Sequence, residues 1–252
     1  MFLQRLFLRL RDRLQKPPRC VSMLPGMAKL IFITGTDTGV GKTVLTGLLL
    51  RHLRQTGCEA RAMKPFCCGS RADARLLRGL QNNLLTMEEA NPFFFKKPLA
   101  PAAAGGRRKP VALRAVLGRI GAVGRHCEVL LIEGIGGLLA PLGADYTVAD
   151  LISRLDCLTL VVSRNRLGTI NHTLLTVKAL EAIGTKRLRI VMVEDKKPDL
   201  SAQSNPKIIR KMAPTAPVFS IPHLGFGASS GAIIKKNVNF LKKTLARIVA
   251  DA

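Results

Sequence analysis

Short apolar blocks alternate with amphipathic stretches along most of the chain. The blocks predict buried strands at 30–34, 59–63, 129–132, 158–162, 188–193 and 218–221. Helical periodicity between them predicts helices at 42–55, 72–81, 111–125, 147–155, 170–183, 206–212 and 237–249. Because right-handed crossovers connect such units, the pattern predicts a single α/β domain, a parallel sheet with helices on both faces.

The first 26 residues have a different pattern from the rest. Apolar residues recur there at helical spacing, and basic residues form another face: Leu3, Leu6, Phe7, Leu10 and Leu14, with Arg5, Arg9, Arg13 and Lys16. This pattern predicts a basic amphipathic helix that ends at Pro17. An organelle presequence and a lipid-binding surface helix are alternatives. We favour an extension outside the fold, with the domain spanning 27–252, since Met27 directly precedes the first strand.

Composition narrows the class of protein. The 252 residues include 40 Lys and Arg against 16 Asp and Glu, a net charge of +24, so polyanions should be attracted. With no Trp and one Tyr, stacking on single-stranded nucleic acid is disfavoured, and we expect no specific nucleic-acid partner. The six cysteines form no CxxC pair, which favours a reduced, cytoplasmic protein. No apolar run approaches the ~18 residues of a membrane span.

A glycine-rich turn joins the first strand to the first helix. It reads GTDTGVGKT over 35–43, which is typical of a phosphate-binding loop of the P-loop NTPase type. Backbone amides of such a turn surround a phosphate, and the helix N-terminus adds partial positive charge. We therefore predict nucleotide binding by Gly39, Val40, Gly41, Lys42 and Thr43. In this arrangement, the lysine reaches the terminal phosphates and Thr43 ligates Mg²⁺.

Two acids and a second lysine are predicted near the same sheet edge. Glu133 directly follows a buried strand, Asp73 begins a helix, and Lys64 ends the second strand. Carboxylates there would supply oxygen ligands for Mg²⁺. A helix-capping acid is an equal alternative for Asp73, and an ordinary surface lysine is the simpler alternative for Lys64.

Several motifs together resemble dethiobiotin synthetase. They are GTDTGVGKT at 35–43, KP at 64–65 followed by GS and Asp73, NPF and PLAP within 91–101, EGIGGLLAPL at 133–142 and RNRLGTINHTLLT at 164–176. The correspondence runs in order over about 29–225. It implies an ATP- and Mg²⁺-dependent homodimer in biotin synthesis, which converts 7,8-diaminononanoate and CO₂ to dethiobiotin. The reaction needs no enzyme nucleophile, so catalysis would rest on positioning and charge.

The resemblance also implies roles for individual residues. Lys42 and Lys64, with Thr38 beside them, would stabilise the transferring phosphoryl group and the carbamate. Thr43, Asp73 and Glu133 would hold Mg²⁺. The substrate would be bound by residues from the strand-end loops and from a helix start: Lys64, Cys68, Gly136, Gly137, Thr169, Ile170 and Asn171. The last three would offer backbone amides to its carboxylate across the dimer interface.

Two positions depart from the family pattern. Cys68 stands where a serine or threonine is common, so either the hydroxyl is dispensable or turnover is reduced. A thiol beside Lys64 is also a candidate for a lowered pKa and easy oxidation. Glu194 stands where an asparagine commonly reads adenine, and a carboxylate cannot donate to a ring nitrogen. ATP is nevertheless the expected nucleotide.

Two other classes of protein share the phosphate loop. A partition or positioning ATPase that binds DNA or membrane would place a second lysine where this chain has Asp37. A cobyrinate-type amide ligase would need a glutamine-hydrolysing domain, and little chain remains after the last strand. The apolar stripe over 240–249 could contact a membrane, although such stripes more often pack on a sheet.

Overall fold

A computed structural model describes residues 28–106, 109–225 and 227–250. The predicted N-terminal extension lies outside the described residues. The strands are β1 (Lys29–Gly35), β2 (Ala60–Met63), β3 (Phe66–Cys68), β4 (Phe93–Phe95), β5 (Val129–Glu133), β6 (Cys157–Asn165), β7 (Leu188–Glu194) and β8 (Val218–Ile221). The α-helices are α1 (Lys42–Gln55), α2 (Ala72–Leu80), α3 (Met87–Ala90), α4 (Pro101–Ala104), α5 (Leu113–Gly124), α6 (Val148–Ile152), α7 (Thr169–Ala182), α8 (Asn205–Met212), α9 (Gly231–Phe240) and α10 (Lys242–Val249).

A six-stranded sheet forms the centre of the molecule, in the order β2-β5-β1-β6-β7-β8. Every pairing in it is parallel; Ile31, for example, lies opposite Leu131 of β5 and Leu158 of β6. The predicted parallel α/β fold is therefore confirmed. Because β1 lies between β5 and β6, the loop that follows β1 emerges from the middle of the carboxyl edge.

Helices cover both faces of this sheet. Ile31 and Ile33 of β1 belong to one apolar core, which contains side chains of α1, α2, α9 and α10. Phe32 points to the opposite core, which contains side chains of α5, α7 and α8. Alternate residues of a strand face opposite sides, so a strand buried on both faces reads as the continuous apolar run seen here. Burying each large side chain contributes about 1.5–3 kcal/mol.

Some elements differ from those predicted. The single helix predicted at 237–249 is wrong: α9 already begins at Gly231, where Ser230 caps the Ile233 amide, and it ends before α10 at Leu241. The helix predicted at 147–155 extends only from Val148 to Ile152. A second, two-stranded parallel sheet of β3 and β4 was not predicted, since three-residue strands carry too little periodicity to recognise.

The sheet topology determines where polar side chains gather. Strands β2, β5 and β1 are neighbours, so Lys64, Glu133 and the loop before α1 all leave the sheet at its carboxyl edge. In the part of the chain that the structure describes, no helix has the length and apolar content needed to cross a membrane.

Candidate active site

The loop between β1 and α1 depends on glycine at two left-handed positions. Gly39 has φ +73° and Gly41 has φ +106°, and Gly41 is the residue that precedes the first turn of α1. A Cβ on Gly41 would also lie 3.2 Å from Val193 at the end of β7. This backbone therefore tolerates a side chain poorly at Gly41. The loop is tied to the sheet by the Thr36 amide, which donates to Val162 at 3.0 Å.

Lys42 lies inside this loop, with 6% of its surface exposed. Its Nζ donates to the backbone carbonyls of Asp37 at 2.7 Å and Gly136 at 2.6 Å. The ammonium thus joins the loop after β1 to the loop after β5. Burial, followed by repulsion from Lys64, lowers the pKa of Lys42 to about 8.

Glu133 is the centre of a buried polar cluster at the end of β5. The residue is 1% exposed, and its Oε1 accepts hydrogen bonds from Thr43 Oγ1 at 2.6 Å and Lys64 Nζ at 2.7 Å. Lys64 Nζ also forms an ion pair with Asp73. Burial alone would lower the pKa of Lys64, but the combined charges and hydrogen bonds of Glu133 and Asp73 raise it. Lys64 is therefore a fixed positive charge at neutral pH.

These contacts decide two alternatives left open by the sequence. Lys64 is 7% exposed, so it is not an ordinary surface lysine. Asp73 lies in the first turn of α2, but Arg71 occupies the N-cap position, and the Asp73 carboxylate contacts Lys64 instead of acting as the cap.

The cluster offers oxygen ligands suited to Mg²⁺. Glu133 Oε2 is buried and has no hydrogen-bond partner in the structure, which is costly unless a ligand satisfies it. Thr43 and Asp73 add a hydroxyl and a partly exposed carboxylate beside it. Within the described ranges, no group of three or more His, Cys, Asp and Glu side chains could hold a metal. Mg²⁺ does not need such a group, because it is commonly held by one or two carboxylates and completes its shell with phosphate and water. The two carboxylates and the hydroxyl of this cluster therefore fit Mg²⁺.

A cleft of about 700 Å³ connects the phosphate loop to this cluster. The predicted residues that line it are Thr38, Gly39, Gly41, Lys42, Thr43, Lys64, Cys68, Asp73, Glu133, Gly136 and Gly137. Val40 is instead buried in the core between the sheet and α1. The sequence reasoning missed other lining residues: Val44, Cys67, Ser70, Pro98, Leu99, Ala100, Pro101, Ile135, Ala140 and Ser229. PLAP was noticed only as a motif, and nothing in the sequence indicated Ser229.

The expectation of a lowered pKa for Cys68 is wrong. Partial burial raises the pKa of this thiol, and the charge of Lys64, which acts in the opposite direction, is the smaller influence. The Lys64 ammonium is already paired with two carboxylates, so its field at the sulfur is weakened. Cys68 is therefore a protonated thiol at neutral pH.

The remaining predicted residues lie away from the cleft lining. Glu194 ends β7, and its two carboxylate oxygens accept from Asn165 Nδ2 at 3.0 and 2.8 Å. Asn165 is 1% exposed, so this pair is partly shielded from water. The sequence indicates that Glu194 ends a strand, but not that Asn165 orients its carboxylate. Val193 beside it lies next to Gly41, close enough to crowd a Cβ there, so Glu194 is at the same edge of the sheet as the phosphate loop.

The start of α7 also lies outside the cleft lining. Thr169 is buried and its backbone amide donates to Arg166 at 3.1 Å, so one of the three amides predicted for the substrate carboxylate is already engaged. Ile170 is half-buried and Asn171 is exposed. Gly168, at φ +89°, provides the left-handed residue before the helix.

A parallel sheet, a glycine loop with a buried lysine and a strand-end acid bonded to the loop threonine define the P-loop class of nucleotide-binding proteins. The family described as AAA domain matches residues 29–225. A solved structure of the MinC:MinD cell division protein complex from Aquifex aeolicus has a TM-score of 0.57 at 15% identity, covering 89% of this chain and 97% of that chain. This likeness supports the fold alone.

Curated relatives identify the family more narrowly. The ATP-dependent dethiobiotin synthetase of Bacillus subtilis (strain 168) is 37% identical over 228 residues, covering 87% of this chain and 93% of the relative. The enzyme of the same name from Anaeromyxobacter sp. (strain K) is 42% identical over 203 residues, covering 76% of this chain and 89% of the relative. The chain belongs to the dethiobiotin synthetase family.

Proposed function

We propose that the protein is an ATP-dependent cyclo-ligase that makes dethiobiotin from 7,8-diaminononanoate and CO₂, a step of biotin biosynthesis. One observation carries the proposal beyond family membership: Lys42, Lys64, Thr43 and Glu133 meet in a single cleft. An enzyme that activates a carbamate by direct phosphoryl transfer from ATP needs such a concentration of charge more than it needs a nucleophile of its own.

The triphosphate of ATP binds at the phosphate loop. The amides of 39–43 and the N-terminus of α1 surround the phosphates, and the Lys42 ammonium reaches the terminal groups. Lys42 now donates to two carbonyls, from Asp37 and Gly136, and phosphate oxygens are stronger acceptors that can replace them. Phosphate binding also favours the protonated form of this lysine.

Thr43, Asp73 and Glu133 would hold Mg²⁺ with their side-chain oxygens. The bound ion supplies charge neutralisation for the phosphates. Glu133 already orients the hydroxyl of Thr43, and Lys64 holds the carboxylates of Glu133 and Asp73 in place through its two ion pairs.

The chemical steps follow from the substrates. One amine of the diamine adds to CO₂ and loses a proton, which gives a carbamate. A carbamate oxygen then displaces ADP from the γ-phosphorus, and the second amine attacks the carbamate carbon. Phosphate leaves with that oxygen, the second nitrogen gives up a proton, and the ureido ring closes. Lys42 and Lys64 stabilise the carbamate and the transferring group, and Thr38 lines the same cleft. The raised pKa of Lys64 keeps this lysine charged throughout.

The substrate lies between the loops after β2 and β5. Cys68, Gly136 and Gly137 line that side of the cleft, and Cys68 offers only a weak donor in place of a hydroxyl. In a homodimer, the start of α7 would approach the substrate carboxylate of the partner subunit. ATP is the expected nucleotide, with the Glu194 carboxylate accepting from the exocyclic amine of adenine. A cytoplasmic location without nucleic-acid or membrane partners stays a prediction.

The alternative of a positioning ATPase has no support at the loop. Where that class carries a lysine, Asp37 accepts a hydrogen bond from the Thr38 amide at 2.6 Å, so a carboxylate occupies the position.

The direct test incubates the protein with ATP, Mg²⁺, bicarbonate and 7,8-diaminononanoate and follows product mass. We expect a product that has gained one carbonyl carbon and lost two hydrogens, and no such product without ATP or with Lys42→Ala. A folded protein that binds ATP but leaves the diamine unchanged would refute the proposal.

A further inference from the structure

The backbone that carries Lys64 is not held by the central sheet. β2 is the edge strand, and it ends at Met63. Beyond it, the Lys64 amide donates to Ala90 at 2.8 Å, and Pro65 accepts from the Phe93 amide at 3.0 Å. The position of the Lys64 side chain therefore depends on the segment around 90–93.

One buried carboxamide completes this attachment. Asn91 is 0% exposed, and its Nδ2 donates to the carbonyls of Lys64 at 2.8 Å and Pro65 at 3.3 Å. Its Oδ1 accepts from Arg71 Nε at 3.1 Å. Both amide hydrogens and the amide oxygen of Asn91 are thus used.

Arg71, the hydrogen-bond partner of Asn91, belongs to the chain segment that carries Asp73. Arg71 immediately precedes α2, two residues before Asp73, and its guanidinium lies 4.7 Å from the centre of the Phe94 ring. Asp73 in turn forms the ion pair with Lys64 Nζ. The Asn91 side chain therefore joins the two chain segments whose charged groups meet beside Glu133.

We propose that Asn91 is a positioning residue for the reaction: it fixes the Lys64 ammonium and the Asp73 carboxylate relative to Glu133, with Arg71 as its partner. The proposal rests on the proposed function, since it assigns Asn91 to the geometry of that site. Misplacing a reacting group by about 1 Å can lower a rate by about 100-fold.

The chain contains a matched control. Gln81 is also 0% exposed, and its carboxamide binds the same edge strand, donating to the Ala62 carbonyl at 2.8 Å and accepting from the Ala62 amide at 3.0 Å. In the described part of the chain, the hydrogen bonds of this carboxamide go to Ala62, two residues before Lys64. Removing the Gln81 carboxamide should therefore weaken the attachment of β2 without displacing the side chains of the candidate active site.

The experiment compares Asn91→Leu with Gln81→Met, each of which replaces a buried carboxamide by an apolar side chain of similar length. We expect comparable losses of thermal stability. In Asn91→Leu, kcat should fall by about 30- to 100-fold, with the KM for ATP within about threefold, because the phosphate loop is untouched. In Gln81→Met, kcat should stay within about threefold. Equal effects of the two variants on kcat would overturn the proposal.

Arg71→Gln provides a second variant, at a half-buried position where a polar side chain is kept. It should lower kcat in the same direction as Asn91→Leu, and the double variant should be no slower than Asn91→Leu alone, since both act through one connection. Additive losses in the double variant, or a wild-type kcat in Arg71→Gln, would overturn the role given to this pair.

Amide hydrogen exchange separates this proposal from the proposed function. Asn91→Leu should speed exchange at Lys64 by at least about tenfold, and Gln81→Met should speed it at Ala62 instead. Wild-type protein that makes no dethiobiotin would overturn the proposed function, and unchanged exchange at Lys64 in Asn91→Leu would then overturn the role of Asn91.

Discussion

Lys64→Met is the perturbation that tests the buried charge cluster most sharply. It leaves the Glu133 carboxylate, at 1% exposure, with the Thr43 hydroxyl as its one hydrogen-bond donor among the described residues. Removing one partner of a buried ion pair costs about 3–5 kcal/mol, because the other charge is left uncompensated. At about 2–4 °C per kcal/mol for a chain of this size, the midpoint of thermal unfolding should fall by about 6–20 °C.

The double variant Lys64→Met/Glu133→Gln separates this charge effect from a loss of packing. It removes both buried charges, so it should be more stable than Lys64→Met alone, despite carrying one more substitution. The measurement is urea unfolding of Lys64→Met, Glu133→Gln, the double variant and wild type, all without nucleotide. A double variant whose loss equals the sum of the single losses would refute the reasoning, as would a Lys64→Met variant of wild-type stability.

Three titrating groups give further predictions. Because the pKa of Lys42 is lowered to about 8 and phosphates favour its protonated form, ATP affinity should fall by up to about tenfold per pH unit above 8. Calorimetry of ATP binding above pH 8, in buffers of different ionisation enthalpy, should show that protons are taken up on binding. A Kd for ATP that does not change with pH would contradict this role of Lys42. Burial, then Lys242, lowers the pKa of His52, so the unfolded state binds more protons and stability should decrease as pH falls below 6.5. His52→Gln should reduce that slope in urea unfolding, and an unchanged slope would count against it. Iodoacetamide should modify Cys68 more slowly than free cysteine at pH 8, since burial raises the pKa of this thiol; rapid modification that disappears in Cys68→Ser would contradict this.

The fold was largely predictable because its strands are buried on both faces. Continuous apolar runs such as 30–34 and 129–132 differ clearly from the helical periodicity around them, and strand-helix alternation leaves few topologies. The sheet edge where Lys64 and Glu133 gather followed from the same order of elements. Their contact distance did not, because it depends on side-chain rotamers.

The features that the sequence could not predict are side-chain contacts between residues far apart along the chain. Asn91 was noticed only within a motif, and its bonds to Lys64 and Arg71 require the folded arrangement of three segments. The pairing of Glu194 with Asn165 is of the same kind. The lowered pKa expected for Cys68 is wrong because partial burial, which depends on the folded arrangement, outweighs the nearby lysine charge and raises that pKa.

The central claim is that ATP, CO₂ and a diamine react in the cleft formed by Lys42, Lys64, Thr43 and Glu133. Transfer of ¹⁸O from labelled bicarbonate to inorganic phosphate tests it most directly, measured by mass at early times before the label exchanges with water. Attack of a carbamate oxygen on the γ-phosphorus predicts one ¹⁸O in the phosphate formed with each labelled dethiobiotin. Unlabelled phosphate formed together with labelled dethiobiotin would contradict it.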